Sequence, residues 1–319
     1  RHHRKPGGRP VLRASGHVGG RLGNRTAAVE CKTAQGNGTM LCPDRSNRAP
    51  SGSPPVSQSR RLVVPLFAPV VLFVSDMHFG RGPRAAERDK EQALIECLEA
   101  HDGEVDHLYL LGDVFDGYIE YRHLVPKGFV RFQGLLARWS DRGVPVTYLL
   151  GNHDPWHQDH FSAELGVTVV SDTVTARHFG RRLHLAHGDA LTAAHQSRAW
   201  LRALLRHPVP VRLYRALLPA DLGLGLARWV SRQLHDRDDE TPVAHILRTQ
   251  ARALLRREGL DGVVLAHSHV PALHHDPEGV YANTGNWCER RTFAQLDEDG
   301  MHLQRWNGGR ARVIESVPL

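Results

Sequence analysis

The sequence predicts an α/β fold in which two mixed β-sheets pack face to face with helices outside. Five apolar runs end in Asp, Asn or His: VLFVSDMHFG (71–80), LGDVFD (111–116), LLGNHD (149–154), LHLAHGD (183–189) and VVLAHSH (263–269). Buried strands of an α/β sheet deliver ligands at their carboxyl ends in this way. Helix-type segments separate the first three runs, the alternation that a parallel sheet with crossover connections requires. The final stretch, 270–316, alternates apolar and polar residues between the turns DPEG, DEDG and NGG, and reads as an antiparallel meander.

The folded part opens with the strand that presents Asp76 and His78, followed by the turn GRGPR. Residues 85–100 place Ala93, Leu94, Cys97 and Leu98 on one helix face with the charges opposite, so this helix covers the sheet. A strand over 105–111 leads to Asp113 and to a loop rich in aromatic and charged residues, FDGYIEYRHLVPKG. A helix over 128–141 returns the chain to the strand VPVTYLL, and short strands follow at 167–170 and 182–187. From 191 to 258 the texture becomes helical and arginine-rich, with apolar stripes at Trp200, Leu201, Leu204, Leu205, Leu213, Leu217 and Leu218. Pro208, Pro210, Pro219 and the pair Gly223/Gly225 are expected to divide it into three or four helices. This segment reads as a helical insertion resting over the end of the sheet.

Charge is unevenly placed. Residues 1–62 carry twelve Lys+Arg against two Asp+Glu, whereas 63–319 carry 29 against 32. The basicity therefore belongs to a Gly/Pro/Ser/Arg-rich tail, 1–61, expected to be disordered, and the folded domain is expected to span 62–319. The sequence begins without Met, so the tail is read as a fragment edge or as residues upstream of a true start. Once the tail is set aside, nucleic acid is not an expected partner. The apolar run near 60–75 is too short and too proline-broken for a membrane span, and the Arg60-Arg61 pair gives only a faint export signal. Four scattered cysteines without a CxxC spacing point to a reducing compartment, and the expected location is cytosolic.

The strand-end residues Asp76, His78, Asp113, Asn152, His187, His267 and His269 offer three oxygen donors and four imidazoles. That mixture suits Mn²⁺, Fe²⁺, Zn²⁺ or Co²⁺, and not Ca²⁺. Seven ligands are too many for one ion and natural for two sharing Asp113, an arrangement that clamps phosphate oxygens and activates water. Any one of these short motifs alone is commonplace in turns. Their joint occurrence, in order and each after an apolar run, carries the expectation.

In order and spacing the motifs resemble those of the calcineurin-like metallophosphoesterases: D-x-H, G-D-x-x-D, G-N-H-D/E, a later H and G-H-x-H. Here they stand as Asp76-Met77-His78, Gly112-Asp113-Val114-Phe115-Asp116, Gly151-Asn152-His153-Asp154, His187 and Ala266-His267-Ser268-His269, with Ala266 replacing the usual Gly. The resemblance implies that Asp76, His78, Asp113 and His269 hold one metal and Asp113, Asn152, His187 and His267 the other. It gives His153 a catalytic place beside the phosphate, with Asp116 orienting it.

The helical insertion, the loop after Asp113 and the ending YANTGNW further resemble the branch that hydrolyses UDP-2,3-diacylglucosamine in lipid A biosynthesis. That branch implies a cap over acyl chains, water attack on the α-phosphorus, and release of UMP and an acylated sugar phosphate. Its best-known members carry Arg where this chain has His153, which matches a second subgroup. Tyr118, and with it the candidate substrate-binding residues Tyr121, Arg122 and Lys127, follow the bridging Asp on a loop near the metals. The expected substrate partner is a nucleotide-activated acylated sugar, with an anionic membrane surface as a second partner. A phosphodiesterase or phosphomonoesterase acting on nucleotides or phosphoproteins, and a non-catalytic scaffold on the same fold, remain as other readings.

Overall fold

The computed structural model describes residues 68–193, 199–235 and 240–319. The tail read over 1–61 and the boundary at Leu62 lie outside these residues. In chain order the elements are β1 (Val70–Val74), α1 (Arg84–Glu99), β2 (Val105–Leu110), α2 (Val130–Asp141), β3 (Val146–Leu149), a π-helical turn (His160–Glu164), β4 (Thr168–Val170), β5 (Thr173–His178) and β6 (Arg181–Ala186). There follow α3 (Asp189–Ala193), α4 (Ala199–Arg206), α5 (Pro208–Leu217), α6 (Ala220–His235), α7 (Glu240–Glu258), β7 (Gly262–Leu265), β8 (Ala272–Asp276), β9 (Gly279–Asn283), β10 (Thr292–Leu296), β11 (Met301–Trp306) and β12 (Ala311–Val317).

Seven strands form one sheet in the order β12-β11-β10-β1-β2-β3-β4, and five form the other in the order β5-β6-β7-β9-β8. Strands β1 to β4 run parallel, as do β6, β7 and β9. The two-residue period of β1 explains its unbroken apolar run, because both its faces are covered. Val70, Leu72 and Val74 pack under the helices with Leu94, Leu98 and Trp139, while Val71 and Phe73 join Leu185, Val264 and Ala282 between the sheets. Helix α7 closes the outer face of the second sheet through Leu247, Ala251 and Leu255.

Four local expectations change. Helix α1 does not segregate its charges: Glu87, Lys90 and Glu91 are buried together with Ala93, Leu94, Cys97 and Leu98, because the loop after β1 offers backbone partners to Glu87 and Lys90, and Phe132 N–H of α2 donates to Glu91. Strand β5, absent from the sequence reading, is an edge strand with no fully buried side chain, so its pairing with β6 and not an apolar pattern defines it. The region 270–316 divides between the sheets, with β8 and β9 as a hairpin in the second sheet and β10–β12 as a meander beside β1 in the first. Pro208 opens α5 at a position where its missing N–H costs nothing. Gly223 and Gly225, expected to interrupt, lie inside the continuous α6, where a glycine costs about 1 kcal/mol and allows Gly223 to pack against Tyr121 and Tyr214.

Candidate metal centre

The carboxyl ends of five parallel strands converge. Strand β1 leads to Asp76 and His78, β2 to Asp113, β3 to Asn152 and His153, β6 to His187, and β7 to His267 and His269. The strand-end loops interlock through backbone bonds, Asp76 N–H to the Gly112 carbonyl (3.1 Å) and His78 N–H to the Asp113 carbonyl (3.0 Å). Two motif glycines are there for lack of space. A Cβ on Gly112 would lie 2.6 Å from His187 Nδ1, and one on Gly151 would lie 2.0 Å from Asp113 Oδ1.

Five of the candidate ligands stand in the left-handed region: Asp76 (φ 51°), His78 (44°), Asp113 (50°), His267 (67°) and His269 (58°). Each such residue costs about 1–3 kcal/mol, which surrounding contacts must offset. The gain is directional. A regular strand would send His267 and His269 to opposite faces, whereas here the backbone turns at each of them.

Side-chain geometry forms three overlapping groups among the described residues, one of them His78, Asp116 and His153, and two made of candidate ligands alone. Asp76, His78 and His269 bring ligand atoms within 4.8 Å of one another, and so do Asp76, Asp113 and His187. Asp113 Oδ2 stands 3.8 Å from His78 Nε2 and 3.4 Å from His187 Nε2, so one carboxylate faces both groups. Asn152 Oδ1 lies 3.0 Å from His187 Nε2, while His187 Nδ1 bonds the Leu111 carbonyl at 2.8 Å and thereby turns Nε2 inward. His267 stacks edge-on to His187 with ring centroids 5.0 Å apart, and its Nε2 meets Thr192 Oγ1 at 3.1 Å, which leaves Nδ1 as its available donor. His153 Nε2 lies 3.8 Å from Asp113 Oδ2, and Asp116 Oδ1 faces His78 Nδ1 (3.5 Å) and His153 Nδ1 (3.9 Å).

The donor set fits divalent cations on its own terms. Asp76 Oδ1 is buried and accepts no hydrogen bond, although His269 Nε2 is 3.2 Å away. His78 Nε2 and His269 Nε2 point at each other across 3.2 Å. Burial and the neighbouring His187 push the His267 imidazole down to about 4, which keeps it neutral and able to ligate. Burial would lower His187 too, but the Asp113 carboxylate overrides it and drives the ring up to about 10, a measure of how strongly this cavity attracts positive charge.

A supporting layer escaped the sequence reading. Lys90 donates to the carbonyls of Met77 (2.8 Å) and His78 (3.0 Å) and pairs with Glu87, whose carboxylate accepts from Gly80 N–H and Gly82 N–H. Asp154 joins two loops, accepting from the N–H groups of Asp113, Phe115 and Gly151 and from the Tyr148 hydroxyl. Burial and the nearby Asp113 charge raise the Asp154 carboxyl to about 6 in spite of these donors. The detectable signal for Lys90 was its place four residues before Leu94, on the helix face assigned to the core.

Over the site lie α4, α5 and α6. Arg206 donates to the Gly151 carbonyl (3.0 Å) and, with Arg202, engages Asp189 of the HGD run. A cavity of about 180 Å³ opens between these helices and the loops, walled by Ile119, Pro155, Trp156, Leu205 and Leu226 and ending on Asn152 and His153. Trp200 (67% exposed) and Leu204 (46%) point outward instead, so of that helix's stripe Leu205 meets the cavity. Tyr118 also lines it, Tyr121 is covered by Gly223 of α6, and Arg122 and Lys127 are exposed and outside the donor cluster.

Comparison with known proteins agrees with this geometry. The family model described as calcineurin-like phosphoesterase matches residues 69–271. A UDP-2,3-diacylglucosamine hydrolase of Porphyromonas gingivalis is 37% identical over 162 residues, 50% of this chain and 62% of that relative, so the match spans less than two thirds of its length. Another protein of that name, from Edwardsiella ictaluri, is 30% identical over 240 residues, 73% of this chain and 90% of its own. Among solved structures, Yfce, a phosphoesterase from E. coli, is 19% identical with a TM-score of 0.41, covering 78% of this chain and 98% of that one. Because residues 69–271 are the stretch that builds all five converging strand ends, the chain belongs to the calcineurin-like phosphoesterase family, metal-dependent hydrolases built on a dinuclear divalent-metal centre.

Proposed function

We infer that this enzyme hydrolyses the phosphoric anhydride of UDP-2,3-diacylglucosamine, giving UMP and 2,3-diacylglucosamine 1-phosphate. The observation that carries the reading is the apolar cavity ending on Asn152 and His153, which sets an apolar slot beside a site suited to phosphoryl transfer. The relatives named for this substrate support it.

In this reading Asp76, His78, Asp113 and His269 hold one ion and Asp113, Asn152, His187 and His267 the other, with Mn²⁺ the native metal. When bound, the pair supplies Lewis-acid polarisation of the phosphoryl oxygens and lowers the pKa of water. The chain's own residues do the rest. His153, half-buried and facing Asp113 and Asp116, donates a hydrogen bond to the developing charge or the leaving oxygen. Asp116 orients that ring. Asp154 fixes the loops bearing Asp113 and Asn152 relative to each other, so little reorganisation remains for the reaction step. Helices α4 to α6 exclude water from the acyl chains. Tyr121, Arg122 and Lys127, on the loop after Asp116, take part in substrate binding.

The cap's outer surface suits an anionic membrane. Trp200, Val209, Leu213, Leu217, Leu222 and Trp229 are 56–69% exposed on α4 to α6, with Arg212 among them, the pattern of an interfacial helical surface. No helix among the described residues is long and apolar enough to cross a membrane. In this reading the enzyme works at the cytoplasmic face of the inner membrane, drawing its substrate from the lipid layer. The deciding experiment supplies Mn²⁺-loaded protein with UDP-2,3-diacylglucosamine and with bis(p-nitrophenyl) phosphate. A kcat/KM for the lipid at least about a hundredfold higher supports the reading; equal or reversed values assign the chain to general phosphodiester hydrolysis.

A further inference from the structure

Most arginines of the cap and of α7 that meet the protein are paired within it. Arg202 and Arg206 engage Asp189 and Asp172, Arg215 donates to the Trp156 carbonyl, and Arg248 and Arg252 hold Asp276 and Glu278. Arg228 on α6 differs. Its side chain is half-buried, its Nε is sealed from solvent without a hydrogen-bond partner, and it forms no ion pair among the described residues.

Its position is fixed by two glycines. A Cβ added to Gly80 would lie 3.3 Å from Arg228 Nη2, and one added to Gly117 would lie 3.0 Å from Arg228 Cγ. Gly80 follows His78 by two residues and Gly117 follows Asp116 directly, so the guanidinium rests against the first site loop while the stem and backbone of Arg228 rest against the second. The two residues before it, Leu226 and Ala227, line the cavity that ends on His153. A guanidinium partly withdrawn from water without a counter-charge is costly. An anion at the junction of cavity and metal centre removes that cost, and arginine grips phosphate through two parallel N–H donors.

We propose that Arg228 is the residue that makes this site selective for a diphosphate, by binding the phosphate that is not attacked. This rests on the reading that the substrate is an acylated nucleotide diphosphate. A bond forms between the water oxygen and the α-phosphorus, and the bond from that phosphorus to the bridging oxygen breaks. The electron pair stays with the departing sugar phosphate, whose charge rises by one, while the water proton is released to solvent. Arg228 faces that growing charge, so its attraction is larger in the transition state than in the ground state.

The test uses the full chain loaded with Mn²⁺, with hydrolysis of bis(p-nitrophenyl) phosphate as reporter. Inhibition by α,β-methylene-UDP is compared with inhibition by UMP, which lacks the second phosphate. In Arg228→Gln the inhibition constant of the methylene diphosphate should rise at least about tenfold, that of UMP less than about threefold, and Arg228→Lys should recover part of the loss. With UDP-2,3-diacylglucosamine, kcat/KM should fall at least about tenfold more than with the chromogenic diester. Equal rises for both inhibitors, or none for either, overturn the assignment; metal content and circular dichroism of both variants identify a folding defect, in which case Arg228→Lys decides. The inhibitor pair does not need the lipid, so a wild-type enzyme inert toward UDP-2,3-diacylglucosamine would end the functional reading while the role of Arg228 was still decided.

Discussion

Replacing His157 by Phe should make the enzyme more stable and less sensitive to acid. The imidazole stacks on Tyr118 (centroids 4.1 Å) and meets Tyr148 (4.8 Å) and Phe161 (5.0 Å) edge-on. Both ring nitrogens are buried without a hydrogen-bond partner. Burial, followed by the electrostatic influence of His160 and Arg215, pushes the ring from 6.5 down to about 3. A folded-state value below the unfolded one means that stability present above pH 6.5 is lost as pH falls toward 3. From about pH 7.5 to about pH 5 the unfolded chain gains a proton that the folded chain refuses, which costs about 2 kcal/mol. Phe retains the ring stacking and removes two unpartnered nitrogens, so His157→Phe should be about 1 kcal/mol more stable near neutral pH. Its decline on acidification should be about 2 kcal/mol smaller than the wild type's. Urea unfolding at both pH values, with chelator present so that metal release drops out of the difference, measures this. Parallel declines in the two proteins would refute the reasoning.

Metal analysis and turnover should separate the site residues: Asp113→Ala loses both ions and all activity, whereas His153→Ala keeps about two ions per chain and slows kcat by about 10²–10⁴. Equal metal loss in the two variants would contradict the role given to His153. Lys90→Met, which leaves the Met77 and His78 carbonyls and Glu87 without their buried cation, should destabilise the fold by about 3 kcal/mol and weaken metal binding in a calorimetric titration. Leu226→Asn, at the cavity wall, should raise KM for UDP-2,3-diacylglucosamine several-fold more than KM for bis(p-nitrophenyl) phosphate; unchanged selectivity would count against acyl chains in that slot.

The sequence by itself determined the α/β class, the two-sheet arrangement and the family, because these depend on local signals. Strand period, apolar runs and Asp, Asn or His at their ends can be read within ten residues of one another. Asp76, His78, Asp113, Asn152, His187, His267 and His269 were all legible in that way. Only the tertiary structure decided that Asp113 Oδ2 faces both His78 and His187, and that Asp76, His78, Asp113, His267 and His269 adopt positive φ. It alone placed Lys90 inside, under two loop carbonyls, where helical amphipathicity had set the charges of α1 outside. It also turned Trp200 and Leu204 toward solvent while Leu205 met the cavity, and carried α6 unbroken across Gly223 so that Arg228 reached Gly80 and Gly117. Such features arise where segments distant in sequence press together. Their energies come from close approach and exclusion of water, and a linear pattern does not record which segments will meet.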